Sequence, residues 1–413
     1  MTLSLPNRRA GRTEGLIGSL VTGYVILLPY LFNVGDRINF APADGFLLLV
    51  VLLAAGQLRC QSALWSEWHI AIMLTFAIGS LVTVLRLGRL DRYELLNKDA
   101  GLLLPFLSYA AITSAVSEWQ DLRRLIRFFI LGVVAENIVA IGGFLAAYYF
   151  GVATPFTRYE GLRLSGTLLD PNAYGGLLVV ALVLCEGASW GPDPLFRGTT
   201  LWMSRLSLVL GVLLTFSRSA WLGLGAAALL FLLVKPAVAI RPILSALMLF
   251  PCLILLLGHR FLPIFEEMAK RPQQVQERVD LIHQALRAFV QRPFVGGGLG
   301  SFRLAVGEVA HNSAMWFLAD FGLAGLAILL AFFLWFFRRA WLAYRFAAKR
   351  ERPLALALLL AHTAMIGVAM GIEAFYQRHW WLVFALIASC YSLARRRART
   401  PRRQLGSVIL NYA

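Results

Sequence analysis

Residues 307–333 read GEVAHNSAMWFLADFGLAGLAILLAFF, a histidine and an asparagine set at the mouth of an apolar run long enough to cross a bilayer. The hydrocarbon core of a membrane is about 30 Å thick and a helix rises about 1.5 Å per residue, so a span takes about 20 mainly apolar residues. The rest of the chain repeats that pattern. Of its 413 residues 59% are hydrophobic and 15% charged, and the mean hydropathy is +0.69, outside the range of globular domains. In lipid every backbone polar group needs an internal partner, which leaves helices for runs of this length. The sequence therefore predicts an all-α fold: a polytopic transmembrane helical bundle of about 12 spans, a single integral membrane domain over 1–413 with no soluble domain of useful size. The spans are expected near 15–33, 40–56, 68–86, 100–116, 128–150, 173–189, 199–215, 219–234, 238–258, 312–336, 354–372 and 377–394. The first reads as a true span, because no short apolar core with an Ala-x-Ala cleavage site marks a removable signal.

Arginine and lysine clusters set the expected orientation, since cytoplasmic loops retain positive charge. Arg8, Arg9 and Arg12, then Arg123, Arg124 and Arg127, then Arg338, Arg339, Arg345, Lys349, Arg350 and Arg352 fall on one side with the basic tail from Arg395 to Arg403. An even number of spans returns both termini to the cytoplasm. One loop dissents: Arg86, Arg89, Arg92 and Lys98 fall outside, partly offset by Asp91, Glu94 and Asp99. The net charge of +17 is then topology and attraction to anionic membrane lipids, and no nucleic acid partner is implied. Cys60, Cys185, Cys252 and Cys390 imply no disulfide framework, and no internal repeat is visible.

With this topology the polar residues of interest converge on the outer face, in 151–172, 216–218, 259–311 and 373–379. The large outer loop, 259–311, contains VQERVDLIHQALRAFV (275–290), whose apolar residues recur at helical spacing. It reads as an amphipathic helix at the interface, stopped by Pro293 and carrying Arg278. The glycines of VGGGLGSF (295–302) form neither a Rossmann nor a P-loop signature, and a flexible turn is expected there. Arg158 and Arg163 sit in a short translocated loop, against the charge bias, while Asp170 or Asn172 suits a helix cap. Arg218 interrupts an otherwise continuous apolar stretch, at a cost of at least a few kcal/mol at membrane depth. His311 opens the helix of 312–336, where the helix dipole disfavours further positive charge, and a neutral imidazole can accept a proton. The bland alternative for His311 and Asn312 is a capped helix start. His259 and His283 read as solvated or structural, and His69, His362 and His379 form no ligand spacing.

Taken together, GLRLSGTLLDPNAYGG (161–176), FSRSAWLGL (216–224), the Arg278 helix running into RPFVGGGLGSF (292–302), and HNSAMWFLADFGLAGL (311–326) resemble the O-antigen ligase and polymerase superfamily of polytopic glycosyltransferases. The resemblance covers roughly residues 150–335. It implies transfer of a glycan from undecaprenyl pyrophosphate at the periplasmic face of the bacterial inner membrane, with no cofactor and no metal. Arg218 and Arg278, then Arg163 and Arg158, would stabilise the pyrophosphate. His311 would be the general base, with Asn312 orienting it. Of the two activities the ligase, with a lipid A–core acceptor, is preferred; a polymerase joining a second lipid-linked glycan is the alternative.

No Asp-x-Asp pair faces outward, and Glu160, Asp170, Glu266, Glu267 and Glu308 lack a spacing that nominates a carboxylate pair. Asp320 reads as a structural acid within the bundle. A transporter of an anionic lipid-linked substrate would use the same arginines, with Glu136 and Asn137 in mid-span as its chief support; a membrane scaffold would leave Arg218 unexplained. The fold is expected to hold the outer loop as a lid over a lateral, lipid-accessible cleft.

Overall fold

The computed structural model describes residues 8–34, 38–54, 64–88, 98, 100–158, 163–168, 170–240 and 272–410. The expected ninth span (238–258, described only to 240), the loop residues 259–271 with His259, Glu266 and Glu267, and Glu160, Cys60 and Cys252 lie outside them. The described chain is helical, with two short antiparallel strand pairs, β1 (Phe32–Val34) with β2 (Ile38–Phe40) and β3 (Thr157–Arg158) with β4 (Arg163–Leu164). In order, the helices are α1 (Arg8–Leu27), α2 (Pro42–Ala54), α3 (Glu67–Leu87), α4 (Ala100–Ala115), α5 (Trp119–Phe150), α6 (Pro171–Gly187) and α7 (Gly198–Leu214). They continue with α8 (Arg218–Val234), α9 (Pro272–Gln291), α10 (Ser301–Val306), α11 (Ser313–Phe346), α12 (Arg352–Ala369) and α13 (Arg378–Leu410).

Among the described residues α3, α5, α11 and α12 are long and apolar enough to cross a membrane, and shorter apolar helices run over Gly15–Leu27, Pro42–Leu53, Gly101–Ala115, Pro171–Gly187, Gly198–Leu214 and Arg218–Val234. The protein is a helical polytopic membrane protein. α12 lies at its centre, packed on α6, α8, α11 and α13, and an aromatic cluster of Phe332, Phe333, Phe336, Phe375, Trp381 and Phe384 locks α11 to α13. At the periphery Leu52, Leu85, Leu229 and Leu233 point outward. Apolar surface on that scale suits a lipid solvent rather than water.

Several boundaries differ from expectation. α1 begins at Arg8, α5 at Trp119 rather than 128, and α11 runs to Phe346 rather than 336. The basic clusters, apart from Lys349 and Arg350 in the turn before α12, are thus helical rather than loop. Long basic side chains pack their stems while their charges reach outward; Arg339, for example, stacks 3.7 Å above the Trp335 ring.

α9 confirms the amphipathic pattern of 275–290 as a helix. Leu281 and Ala285, one turn apart, are buried where α9 packs on α11, while Val279, Leu286 and Val290 are exposed. The glycine-rich stretch after it is not a flexible turn. α11 is broken at Gly322 (φ 66°, ψ −163°), and residues 293–298 supply the backbone partners that the break removes. Gly297 N–H donates to the Ala319 carbonyl (3.0 Å) and Gly298 N–H to that of Asp320 (2.8 Å). In return Leu323 N–H donates to the Pro293 carbonyl (2.8 Å) and Ala324 N–H to that of Phe294 (3.2 Å). So close an approach needs bare backbone: a Cβ on Gly296 would lie 2.4 Å from the Asp320 carbonyl, and one on Gly298 2.3 Å from Thr83 Oγ1. Asp320 completes the joint, accepting from Gly300 N–H, Phe302 N–H, Ser301 Oγ and Trp316 Nε1 at 2.8 to 3.1 Å.

Candidate active site

Three helix starts gather at one end of the bundle, each capped by the side chain its sequence offers. Asp170 accepts from Asn172 and Ala173 N–H at the start of α6, with Pro171 in the first turn. Ser217 accepts from Ala220 N–H at the start of α8, and Asn312 accepts from Ala314 and Met315 N–H at the start of α11. Side-chain bonds join them. Asn172 Oδ1 accepts from Ser217 Oγ (3.0 Å), which ties α6 to α8. Asn312 Nδ2 donates to the Met370 carbonyl (3.0 Å), and Gly371 packs so tightly on Ser219 that an added Cβ would lie 2.7 Å from it. The turn after α12 thereby bridges the starts of α8 and α11. Aligned helix N-termini carry partial positive charge and unsatisfied N–H groups, the physical basis of anion sites.

The arginines lie at the same end. Arg158 and Arg163 stand directly opposite in the β3–β4 pair, where like charges repel. Arg163, buried, turns away: its Nε donates to the Thr215 carbonyl (2.9 Å) and its Nη2 to Asn172 Oδ1 (3.0 Å) and, at 3.5 Å, to the Phe216 carbonyl. It thus braces the turn before Arg218. Arg158 is half-buried and donates to the Thr157 carbonyl (3.2 Å). Arg218 opens α8 and is exposed, so it lies at the mouth of the bundle rather than deep in an apolar span as its sequence setting implied. Arg278 is half-buried on α9, which packs on α11 and α10.

His311 has the most constrained backbone of the group. Only Phe216 and His311, among described non-glycine residues, take positive φ, at 47° and 49°, a conformation that costs an L-residue about 1–2 kcal/mol. Phe216 and His311 immediately precede the capping residues Ser217 and Asn312. Neighbours hold His311 there: Ala310 N–H donates to Glu373 Oε1 (3.1 Å), Ser313 Oγ to the Ile372 carbonyl (2.9 Å), and Ala374 N–H to Ser313 Oγ (2.9 Å). The half-buried imidazole makes no hydrogen bond among the described residues. Asn312 spends its hydrogen bonds on α11 and Met370, and none goes to the imidazole.

Sequence reasoning passed over Glu373 and Lys98. Their side chains form an ion pair of 3.1 Å, 12% and 7% exposed, with Lys98 Nζ also 4.4 Å above the Trp316 ring. The signal was the dissenting charge of the 86–99 loop, two of whose cations have partners: Lys98 in Glu373 and Arg86 in the Gly296 carbonyl (3.2 Å). Glu136 and Asn137 are also engaged. Tyr174 OH donates to both, Thr167 N–H donates to Glu136, and Asn137 donates to the Ser207 carbonyl, a closed cluster under the 163–168 loop. Among the described residues no group of three His, Cys, Asp or Glu side chains converges, and Cys185 and Cys390 are buried free thiols.

Compared with known proteins, residues 204–330 match the family model described as O-antigen ligase. No curated protein matches the chain.

Proposed function

We propose, on the premise that this chain belongs to the O-antigen ligase superfamily, that it transfers a glycan from undecaprenyl pyrophosphate to a hydroxyl of lipid A–core at the periplasmic face of the inner membrane. The observation that carries this reading is His311: a backbone held in the left-handed region by its neighbours, with an imidazole left unbonded, at the end of the bundle that holds Arg158, Arg163 and Arg218. Strain of this kind persists where the surroundings over-determine it, and it gathers at working sites.

The reaction follows from that arrangement. His311 takes the proton of the acceptor hydroxyl as its oxygen attacks the anomeric carbon. The bond from that carbon to the pyrophosphate oxygen breaks, and the electron pair leaves with undecaprenyl pyrophosphate, inverting the anomeric centre. Negative charge grows on the leaving group, at the end of the bundle where Arg218, Arg158 and Arg163 lie with the helix N-termini of α6, α8 and α11. Arg163 acts mainly by fixing the 215–217 turn. Arg278 on α9 belongs to the donor side in this reading. The arginines serve the role a divalent ion has in other glycosyl transfers.

The test is transfer in vitro with purified protein in detergent, undecaprenyl-pyrophosphate-linked glycan, lipid A–core and EDTA. Glycan on lipid A–core supports the ligase. Lengthening of the lipid-linked glycan without acceptor points to a polymerase, and donor crossing liposomes with no transfer of either kind overturns the catalytic reading in favour of a transporter.

A further inference from the structure

We infer that Glu373 and Lys98 form a positioning device for His311, a role that rests on the reading of His311 as the general base. The two residues are 275 positions apart and meet at 3.1 Å with both side chains nearly buried. An ion pair so placed loses hydration on both partners, and stability alone is a weak reason for it. What the pair does locally is more specific. One carboxylate oxygen of Glu373 takes the Lys98 ammonium and the other takes the N–H of Ala310, the residue before the left-handed His311.

Glu373 also lies in the turn that receives Asn312 at Met370 and Ser313 at Ile372. Asn312 and Ser313 therefore hold the C-terminal side of His311, and Glu373 holds its N-terminal side. Lys98 fixes the carboxylate in turn: it is bound to Oε2 and stacked over Trp316, a residue of the helix that His311 precedes. Without Lys98 the carboxylate would rotate, Ala310 would lose its acceptor, and the imidazole would lose its fixed direction. A base must be placed to within a fraction of an ångström, and a misplacement of about 1 Å costs on the order of 100-fold in rate.

The test is steady-state transfer from undecaprenyl-pyrophosphate-linked glycan by the full chain, with donor KM and kcat measured separately for Glu373→Gln, Lys98→Met, the double variant and His311→Ala. Glu373→Gln keeps an acceptor for Ala310 but sets an amide against the ammonium; it is expected to lower kcat by about 10- to 100-fold with donor KM unchanged. The double variant removes both charges and is expected to recover part of that kcat, as coupled partners do. Unchanged donor KM reports a folded, donor-competent protein. A parental kcat in Glu373→Gln, a double variant with the summed loss of the singles, or a raised donor KM with kcat retained in Lys98→Met, the mark of direct donor contact, would each overturn the inference. Parental turnover in His311→Ala would instead overturn the reading on which it rests.

Discussion

The two ends of the bundle are both rich in arginine, and they spend that charge differently. At the end away from His311, cation meets carboxylate. Arg123 and Arg350 both reach the Asp193 carboxylate, at 3.1 and 2.6 Å, and Arg123 lies 3.6 Å from Glu351; Arg123 also donates to the Asp193 carbonyl. At the His311 end, Arg163 is held by two carbonyls and an amide, Arg158 by a carbonyl, and Arg218 is exposed. The first arrangement is a clasp of cations on one carboxylate; at the second, Glu373 takes Lys98, and the exposed guanidinium is that of Arg218 at the start of α8. Counting arginines would not separate the two ends; their partners do.

The comparison yields predictions, of which the largest concerns His311. Replacing it with glycine relieves the left-handed strain, so melting temperature should hold or rise by the equivalent of up to about 1 kcal/mol, while transfer should fall by about 10²- to 10⁴-fold. A variant that is stable and dead would separate chemistry from folding; equal loss of both would return His311 to a structural role. Arg163→Ala should cost about 2–4 kcal/mol, because the buried Thr215 carbonyl loses its donor and the Phe216 carbonyl and Asn172 each lose one, and thermal unfolding in detergent reads this directly. Arg163→Lys should recover little, since an ammonium cannot reproduce the planar fork.

Gly298→Ala sharpens the account of the kinked helix. Its φ of 98° and the 2.3 Å approach to Thr83 Oγ1 leave no room for a methyl group, and a loss of about 2–3 kcal/mol in unfolding is expected. The smallest effect belongs to the clasp. Asp193→Asn should leave transfer at the parental rate, and melting temperature near it at neutral pH, since partly solvated surface ion pairs contribute little. Hydrogen bonding from Arg350, then the nearby charge of Arg123, holds the Asp193 carboxyl below its ordinary range. Whatever stability that supplies is present above the unfolded-state value and is lost as pH falls through the lowered one. Parent and variant should therefore converge in acid, and a gap that widened on acidification would contradict the assignment.

Much of this was legible from the sequence because a bilayer forces long apolar runs into helices. Local signals also survived: Asp170-Pro171 and Asn312 each announced a helix start and each caps one, whereas the cap at Ser217 was not read from the sequence. Helix ends were misplaced where arginines stay helical by packing on aromatic rings, as Arg339 does on Trp335. Long-range pairing was illegible. Nothing near Gly322 signals that residues 293–298 will fill its broken hydrogen bonds, and nothing near Lys98 points to Glu373. Such contacts are chosen by the tertiary fold. Arg218 was read from the cost of burying charge, yet it lies at the exposed mouth of α8, where the argument for function rests on its neighbours rather than on depth.

The most direct test of the contrast between the two ends is to measure glycan transfer by Arg218→Ala and Arg350→Ala side by side, with donor, lipid A–core and detergent held fixed. Removing the cation proposed to stabilise the departing pyrophosphate should lower transfer by Arg218→Ala by about 100-fold or more, while Arg350→Ala, which only opens the clasp, should turn over at the parental rate. Retained transfer in Arg218→Ala, or an equal loss in both variants, would contradict the assignment of the chemistry to the His311 end.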